Sequence, residues 1–260
     1  MMTAQADRVM APSEWEERWQ EGRIGFHQPH VHQQVLLLLM LKDNLDKVLC
    51  GREQVRFFFP LCGKAVDMKW LADMGHVIVG VDISEIGIKQ FFEEQNLEYK
   101  EEPVPAIPEA KVHLISIYLL YELKLRTLKY GTFFCFQSSD AKISLYKCNL
   151  YEFSSAIEGQ FGGIWDRGSL VAINPCDRQK YASLIMSLMD KDCKYLLNTL
   201  EYNPELYKGP PFFVPEEVVK SLYGNACDIE LVQQRDALRE KFKAWGIDSL
   251  LEKLYLLTPK

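Results

Sequence analysis

A glycine-rich phosphate loop is missing from this 260-residue chain, and so are paired cysteines and a basic stripe. Each absence removes a class of function. The seven cysteines stand at 50, 62, 135, 148, 176, 193 and 227 with no CxxC pair, and the five histidines form no set at zinc spacing. No metal site is therefore expected. An odd cysteine count without a disulfide framework predicts a reducing compartment, and hence a cytoplasmic protein. Acidic and basic residues are mixed along the chain at a formal net charge of -6. Without a Lys/Arg-rich run, neither nucleic acid nor an anionic membrane surface is an expected partner. Residues 1–11 lack the ordered regions of a signal peptide, so residues 1–12 are expected to be a disordered tail. Repeats and low-complexity tracts are also missing.

What is present is ample apolar content, 48% of the residues, enough for one large core. Pro12-Ser13-Glu14-Trp15-Glu16 reads as a helix start in which Ser13 caps and Glu16 completes a capping box. Trp15 and Trp19, four residues apart, share a face of that helix, and Gly22 is its expected stop. A second helix is predicted over 30–47. Residues 55–59 and 77–81 are short apolar runs ended by Pro60 and Asp82, with helical spacing between them through Val66, Met68, Trp70 and Leu71. Strand, helix and strand within so short a span form a βαβ unit, whose strands are parallel. Further strands are predicted at 143–148, 163–166, 195–202, 229–232 and 253–258, and helices from Ser84 to Asn96, over 177–189 and over 215–223. The alternation specifies an α/β fold, a mostly parallel Rossmann-like sheet sandwiched by helices, with an N-terminal helical extension. No linker divides 13–260, which is expected to form one domain.

In open α/β sheets, ligands bind beyond the carboxyl ends of the strands. Pro60-Leu61-Cys62-Gly63 leaves the first strand, and Gly63 would let backbone approach a ligand; a plain tight turn explains it equally well. Asp82, ending the second strand, can accept both ribose hydroxyls of an adenosine, or simply lead into the helix at Ser84. One glycine stands where a dinucleotide fold has three, so a pyrophosphate would be poorly cradled. That shifts the expected cofactor from a nicotinamide dinucleotide to S-adenosyl-L-methionine. Trp15, Trp19, Phe26 and His27 could form an aromatic wall for a sulfonium, or ordinary core packing. Cys148-Asn149-Leu150 and Trp165-Asp166-Arg167-Gly168 close two further strands. Asp166 and Arg167 are either a functional pair of charges or an ion pair in a turn.

Longer blocks then carry a resemblance. They are Trp15-x3-Trp19-x6-Phe26-His27-Gln28; Phe58-Phe59-Pro60-Leu61-Cys62-Gly63-Lys64-Ala65-Val66-Asp67-Met68-Lys69-Trp70; Ile164-Trp165-Asp166-Arg167-Gly168; Ala172-Ile173-Asn174-Pro175; Gly209-Pro210-Pro211-Phe212; Trp245-Gly246-Ile247-Asp248; and Glu252-Lys253-Leu254-Tyr255-Leu256-Leu257-Thr258. Together, and in this order, they resemble the thiopurine S-methyltransferase family over 13–260, one segment excepted. The resemblance implies a seven-stranded methyltransferase sandwich, S-adenosyl-L-methionine as cofactor, and methyl transfer to an aromatic or heterocyclic thiol in a monomeric enzyme. It places Trp15, Trp19 and Phe26 over the cofactor, Leu61 and Gly63 against it, Asp82 on its ribose and Asn149 and Leu150 beside its adenine. Arg167 falls between cofactor and acceptor, as the catalytic charge, and Phe26 and Lys241 fall at the acceptor. The family usually carries Glu at the Asp82 position, and many members carry arginine at the Lys241 position, so a planar fork is replaced by a point charge. Methylation of another small nucleophile on the same scaffold, or a non-catalytic binding role, would use the same fold.

The excepted segment is 112–137, which has no counterpart in the family pattern. Glu122, Lys124, Arg126 and Lys129 make it too charged for a membrane span, and its aromatics make it too apolar for a flexible loop. Phe133-Phe134-Cys135-Phe136-Gln137 can be encoded by a pyrimidine-rich run ending in CAG, as at a splice acceptor. A translated intron and a true lineage insertion both fit. Either is expected to pack poorly against the sheet with low local order.

Overall fold

The structure, a computed structural model, describes residues 9–25, 31–104 and 133–260; among these, the side chains of residues 31–39 and of Lys241 are not described. In chain order the elements are α1 (Pro12–Gln20), α2 (Val31–Leu49), β1 (Arg56–Pro60), α3 (Asp67–Asp73), β2 (Val77–Asp82), α4 (Glu85–Glu94), β3 (Tyr99–Val104), β4 (Phe133–Ser138) and β5 (Ile143–Lys147). Then follow α5 (Ser155–Glu158), β6 (Phe161–Asp166), α6 (Arg178–Leu188), β7 (Met189–Glu201), α7 (Glu216–Tyr223), β8 (Cys227–Asp236), α8 (Glu240–Lys243) and β9 (Leu251–Pro259).

One sheet contains every described strand, in the order β3-β4-β5-β2-β1-β6-β7-β9-β8. The pairings β5–β2, β2–β1, β1–β6 and β6–β7 are parallel; those at the two flanks are antiparallel. Burial follows from this. β6 is buried at every residue and β2 at all but its first, as strands covered on both faces must be. Successive side chains of β1 enter opposite layers. Phe57 and Phe59 join Leu41, Leu45, Met68, Ile88 and Phe92 on one side. Phe58 joins Tyr181, Ile185, Val219 and Tyr223 on the other. A smaller cluster of Tyr202, Ala237, Ile247 and Leu250 lies apart from both layers.

The expected seven strands form the β5-β2-β1-β6-β7-β9-β8 part of the sheet, and β3 and β4 extend its edge. That edge corrects the expectation for 112–137. Phe133 to Gln137 belong to β4, paired with β3 and β5 in registers such as Cys135 with Tyr146 and Phe136 with Leu145. Phe133, Cys135 and Phe136 are buried, because alternate residues of the run serve the two apolar layers. The remainder, 112–132, lies outside the described residues. β3 itself reads YKEEPV, a charged edge strand with little burial, which hid it from hydrophobic patterning.

The N-terminus needs two corrections. The tail expectation of 1–12 fails from Val9 onward, residues 1–8 lying outside the described residues. Met10 is buried, its N–H donates to Asn174 Oδ1 at 2.8 Å, and its carbonyl accepts from Asn174 Nδ2 at 3.1 Å. The cap of α1 is Ala11 rather than Ser13. Pro12 occupies the first helical turn, where its missing N–H costs nothing. Glu14, not Glu16, reaches back to accept from Ala11 N–H at 2.8 Å.

Candidate active site

The chain leaves β1 for β2 on one side and reaches β6 on the other, so the switch in strand order lies between β1 and β6. A crevice is expected outside the carboxyl ends there, and a cavity of about 440 Å³ occupies it. Leu61 and Cys62 line it from β1, Asp82 and Ile83 from β2, and Trp165, Arg167 and Gly168 from β6.

The exit of β1 is tightly bound. Leu61 takes φ +45, a conformation costing a side-chain residue about 1–2 kcal/mol. Such strain persists where the surroundings over-determine it. Cys62 N–H donates to Val81 O at 2.9 Å and Gly63 N–H to Asp82 Oδ2 at 2.7 Å. Asp82 Oδ1 accepts from Ser84 N–H at 2.8 Å, and Ser84 caps α4 through Gly87 N–H. One carboxylate thus ties the β1 loop to the start of α4. Burial pushes its carboxyl up to about 6, against the pull of these N–H donors. Each oxygen retains acceptor capacity for a hydroxyl. Burial, with Asp82 alongside, holds the Cys62 thiol well above its ordinary range, so it is a packed thiol and not a nucleophile.

The turn after β6 is anchored from beneath. Asp166 is fully buried; its Oδ2 accepts from Tyr181 at 2.6 Å and Tyr195 at 2.8 Å, and its Oδ1 from Leu170 N–H at 3.1 Å. Tyr195 and Tyr223 oxygens lie 3.2 Å apart. Burial raises the Asp166 carboxyl and the two tyrosines restrain the rise. Ser169 Oγ donates to Pro60 O at 2.6 Å, which ties this turn to β1. Asp166 is therefore a buried anchor, with Arg167 delivered into the cavity by the next residue. Gly168 at φ +84 makes the bend possible.

Trp15, Arg18, Trp19 and Arg23 close one side of the cavity. Trp19 is buried over Gly87 of α4, where an added Cβ would come within 2.8 Å of the indole. The Arg18 guanidinium lies 5.0 Å from the Trp15 ring centroid. The opposite side comes from late elements. Asn198 and Leu200 belong to β7, Arg235 to β8 and Glu252 to β9; Tyr207, Arg239 and Trp245 stand in the connections. Tyr207 and Trp245 stack at 4.6 Å, and Arg235 Nε donates to Glu252 Oε2 at 2.7 Å. Phe212 N–H donates to Val171 O at 2.6 Å, which seats the Pro210-Pro211 segment beside the turn after β6.

Of the residues singled out from sequence, Trp15, Trp19, Leu61, Asp82 and Arg167 meet in this cavity. Gly63 serves Asp82 instead of lining it. Asn149 and Leu150 stand beyond β5, next to Asp82 through the Cys148 N–H bond to Asp82 O at 3.1 Å. There Asn149 Oδ1 accepts from Tyr151 N–H and Leu150 packs into the core. Phe26 lies outside the described residues, as does the side chain of Lys241, whose backbone belongs to α8 beside the cavity residue Phe242. Sequence reasoning passed over Asp67 and the arginines at 18, 23, 235 and 239. The blocks around Pro210 and Trp245 marked the far wall without indicating its chemistry. No group of metal-ligating side chains occurs among the described residues.

A parallel sheet switching between β1 and β6, with an acidic residue at the end of β2 and the antiparallel β7-β9-β8 flank, matches the fold of S-adenosylmethionine-dependent methyltransferases. Solved structures share the fold. A Burkholderia thailandensis 1,6-didemethyltoxoflavin-N1-methyltransferase, crystallised with S-adenosylhomocysteine, superposes at TM-score 0.56 with 15% identity, covering 99% of this chain and 98% of its own. A magnesium protoporphyrin IX methyltransferase from Synechocystis with bound S-adenosylmethionine superposes at 0.55 with 12% identity, covering 96% and 99%. More specifically, the family model described as thiopurine S-methyltransferase matches residues 10–136 and 126–260, and the chain belongs to that family. It is 62% identical over 259 residues to a probable thiopurine S-methyltransferase of Danio rerio, covering 100% of this chain and 99% of the relative. It is 47% identical over 256 residues to the thiopurine S-methyltransferase of Panthera leo, covering 98% and 93%.

Proposed function

We propose that this protein transfers the methyl group of S-adenosylmethionine to the sulfur of an aromatic or heterocyclic thiol such as a thiopurine. The observation that carries the reading is the joining, in one cavity at the switch point of a family member's sheet, of Asp82, Leu61 and Arg167 under an aromatic wall. Bound S-adenosylmethionine supplies an activated methyl on a sulfonium. Asp82 receives the ribose hydroxyls, Leu61 and the Gly63 loop flank the tail, and Asn149 and Leu150 border the adenine. Trp15 and Trp19, which line the cavity, would cover the sulfonium, which suits aromatic faces, and family resemblance adds Phe26 to them. Family resemblance assigns Phe26 and Lys241 to the acceptor.

Arg167 is assigned the charge that favours a thiolate over a thiol. Arg167 would hold the acceptor as its thiolate, the proton released to solvent, while S-adenosylmethionine would supply the methyl group and leave as S-adenosylhomocysteine. No base is assigned, because heterocyclic thiols ionise near neutral pH. The protein's contribution is alignment of the two reactants in one cavity. The same reading takes the protein as a cytoplasmic monomer acting on a small molecule, without nucleic acid, membrane or metal. Among the described residues no helix is long and apolar enough to cross a membrane.

Calorimetric titration with S-adenosylhomocysteine, followed by turnover of a thiopurine against an inorganic chalcogen acceptor and a simple alkyl thiol, tests the reading. Binding together with preferred methylation of the thiopurine supports it. Absence of binding overturns it, as does preference for either other acceptor.

A further inference from the structure

Asp67 is a carboxylate without an evident task. It begins α3, directly after the loop that leaves β1, and only 3% of it is exposed, yet it lines the cavity. Its Oδ2 accepts from Trp165 Nε1 at 3.2 Å, while its Oδ1 is buried and has no hydrogen-bond partner. A buried carboxylate oxygen left unpaired is costly. Burial accordingly raises its carboxyl, and the nearby Arg167 charge offsets only part of that rise. Such an atom is satisfied by a proton or by a cationic donor arriving with a ligand.

Position identifies the donor. With the ribose on Asp82 at the end of β2, the rest of the cofactor must cross the end of β1 at Leu61 and run toward β6. Asp67 and Trp165 stand at that end of the path, on the same cavity. The methionyl tail carries one cationic hydrogen-bond donor, its α-ammonium. A thiolate acceptor, by contrast, would be repelled by Asp67, which assigns the acceptor to the opposite wall at Tyr207 and Trp245. We infer that Asp67 Oδ1 receives the α-ammonium of the cofactor's methionyl tail, with Trp165 holding the carboxylate in orientation. The inference rests on the cofactor assignment proposed above.

The test uses the full chain and two ligands, S-adenosylhomocysteine and its des-amino analogue, in which the α-amino group is replaced by hydrogen and the carboxylate is retained. In the unmodified protein the analogue is expected to bind about tenfold to a hundredfold more weakly, the scale of a hydrogen bond between charged partners. In Asp67→Asn the two ligands should bind with nearly equal affinity, the loss falling on S-adenosylhomocysteine alone. Equal affinity of both ligands for the unmodified protein overturns the inference, and needs no folded variant. An undiminished preference for the amino ligand in Asp67→Asn also overturns it. Failure of both ligands to bind the unmodified protein would instead remove the cofactor assignment on which it rests.

Discussion

The two walls of the cavity are built differently. On the β1, β2 and β6 side, the charged groups Asp67, Asp82 and Asp166 are nearly or fully buried and are held by backbone N–H groups, an indole or tyrosines. On the β7 to β9 side, Arg239, Tyr207 and Trp245 are half-exposed side chains near a small satellite core. Groups of the first kind are part of the fold, because removing one leaves buried partners unsatisfied. Groups of the second kind can change with little cost to folding. On the proposed assignment, the cofactor side is fixed by the fold and the acceptor side is free to vary.

Five measurements bear on this contrast. Asp166→Ala should cost the most, about 3 kcal/mol or more in urea unfolding, since Tyr181 and Tyr195 lose a buried partner together. A loss below about 1 kcal/mol would put Asp166 outside the structural framework. Arg167→Ala should lower thiol turnover by about tenfold to a thousandfold with thermal stability kept, the range for one electrostatic group in a site. A folded variant with full turnover would remove Arg167 from the chemistry.

Asp82→Ala should weaken S-adenosylhomocysteine binding by about 1.5–3 kcal/mol in calorimetry, with thiol affinity unmoved. Asp82 also sets a pH dependence. Its carboxyl is raised from 3.8 to about 6 in the folded protein, so the folded state holds a proton there that the unfolded chain has released. This contribution to stability is fully present below the unfolded value and is lost as pH rises through about 6. Without ligand, Asp82→Asn should gain relative to the parent on going from pH 4 to pH 7; an unchanged difference would show that burial does not raise this group. The smallest effect belongs to the other wall. Arg239→Ala should stay within about 0.5 kcal/mol of the parent's stability, with unaltered cofactor binding and a shifted acceptor KM. Strong destabilisation there would erase the distinction between the walls.

Legibility in the sequence follows the same division. β1 and β2 are continuous apolar runs ended by Pro60 and Asp82, so the central unit and its acidic cavity residue could be read directly. Blocks of family resemblance pointed to Arg167. Asp67 could not be read, because an acidic residue in a first helical turn is ordinary and only the tertiary fold brings Trp165 against it. The three tyrosines below Asp166 lie 15, 29 and 57 residues further on, without any local pattern to join them to it. β4 was hidden because its paired partners, β3 and β5, decide whether an aromatic run is a strand or an inserted stretch.

Trp19 rests on Gly87, in the helix whose first residues hold Asp82 through Ser84. The cover over the cavity and the fastening of the Asp82 carboxylate therefore share one support. Trp19 and the Asp82 loop thus both depend on the start of α4, so a change that displaces this helix reaches both. A methyl group added at residue 87 would come within 2.8 Å of the indole, so the cover would have to shift.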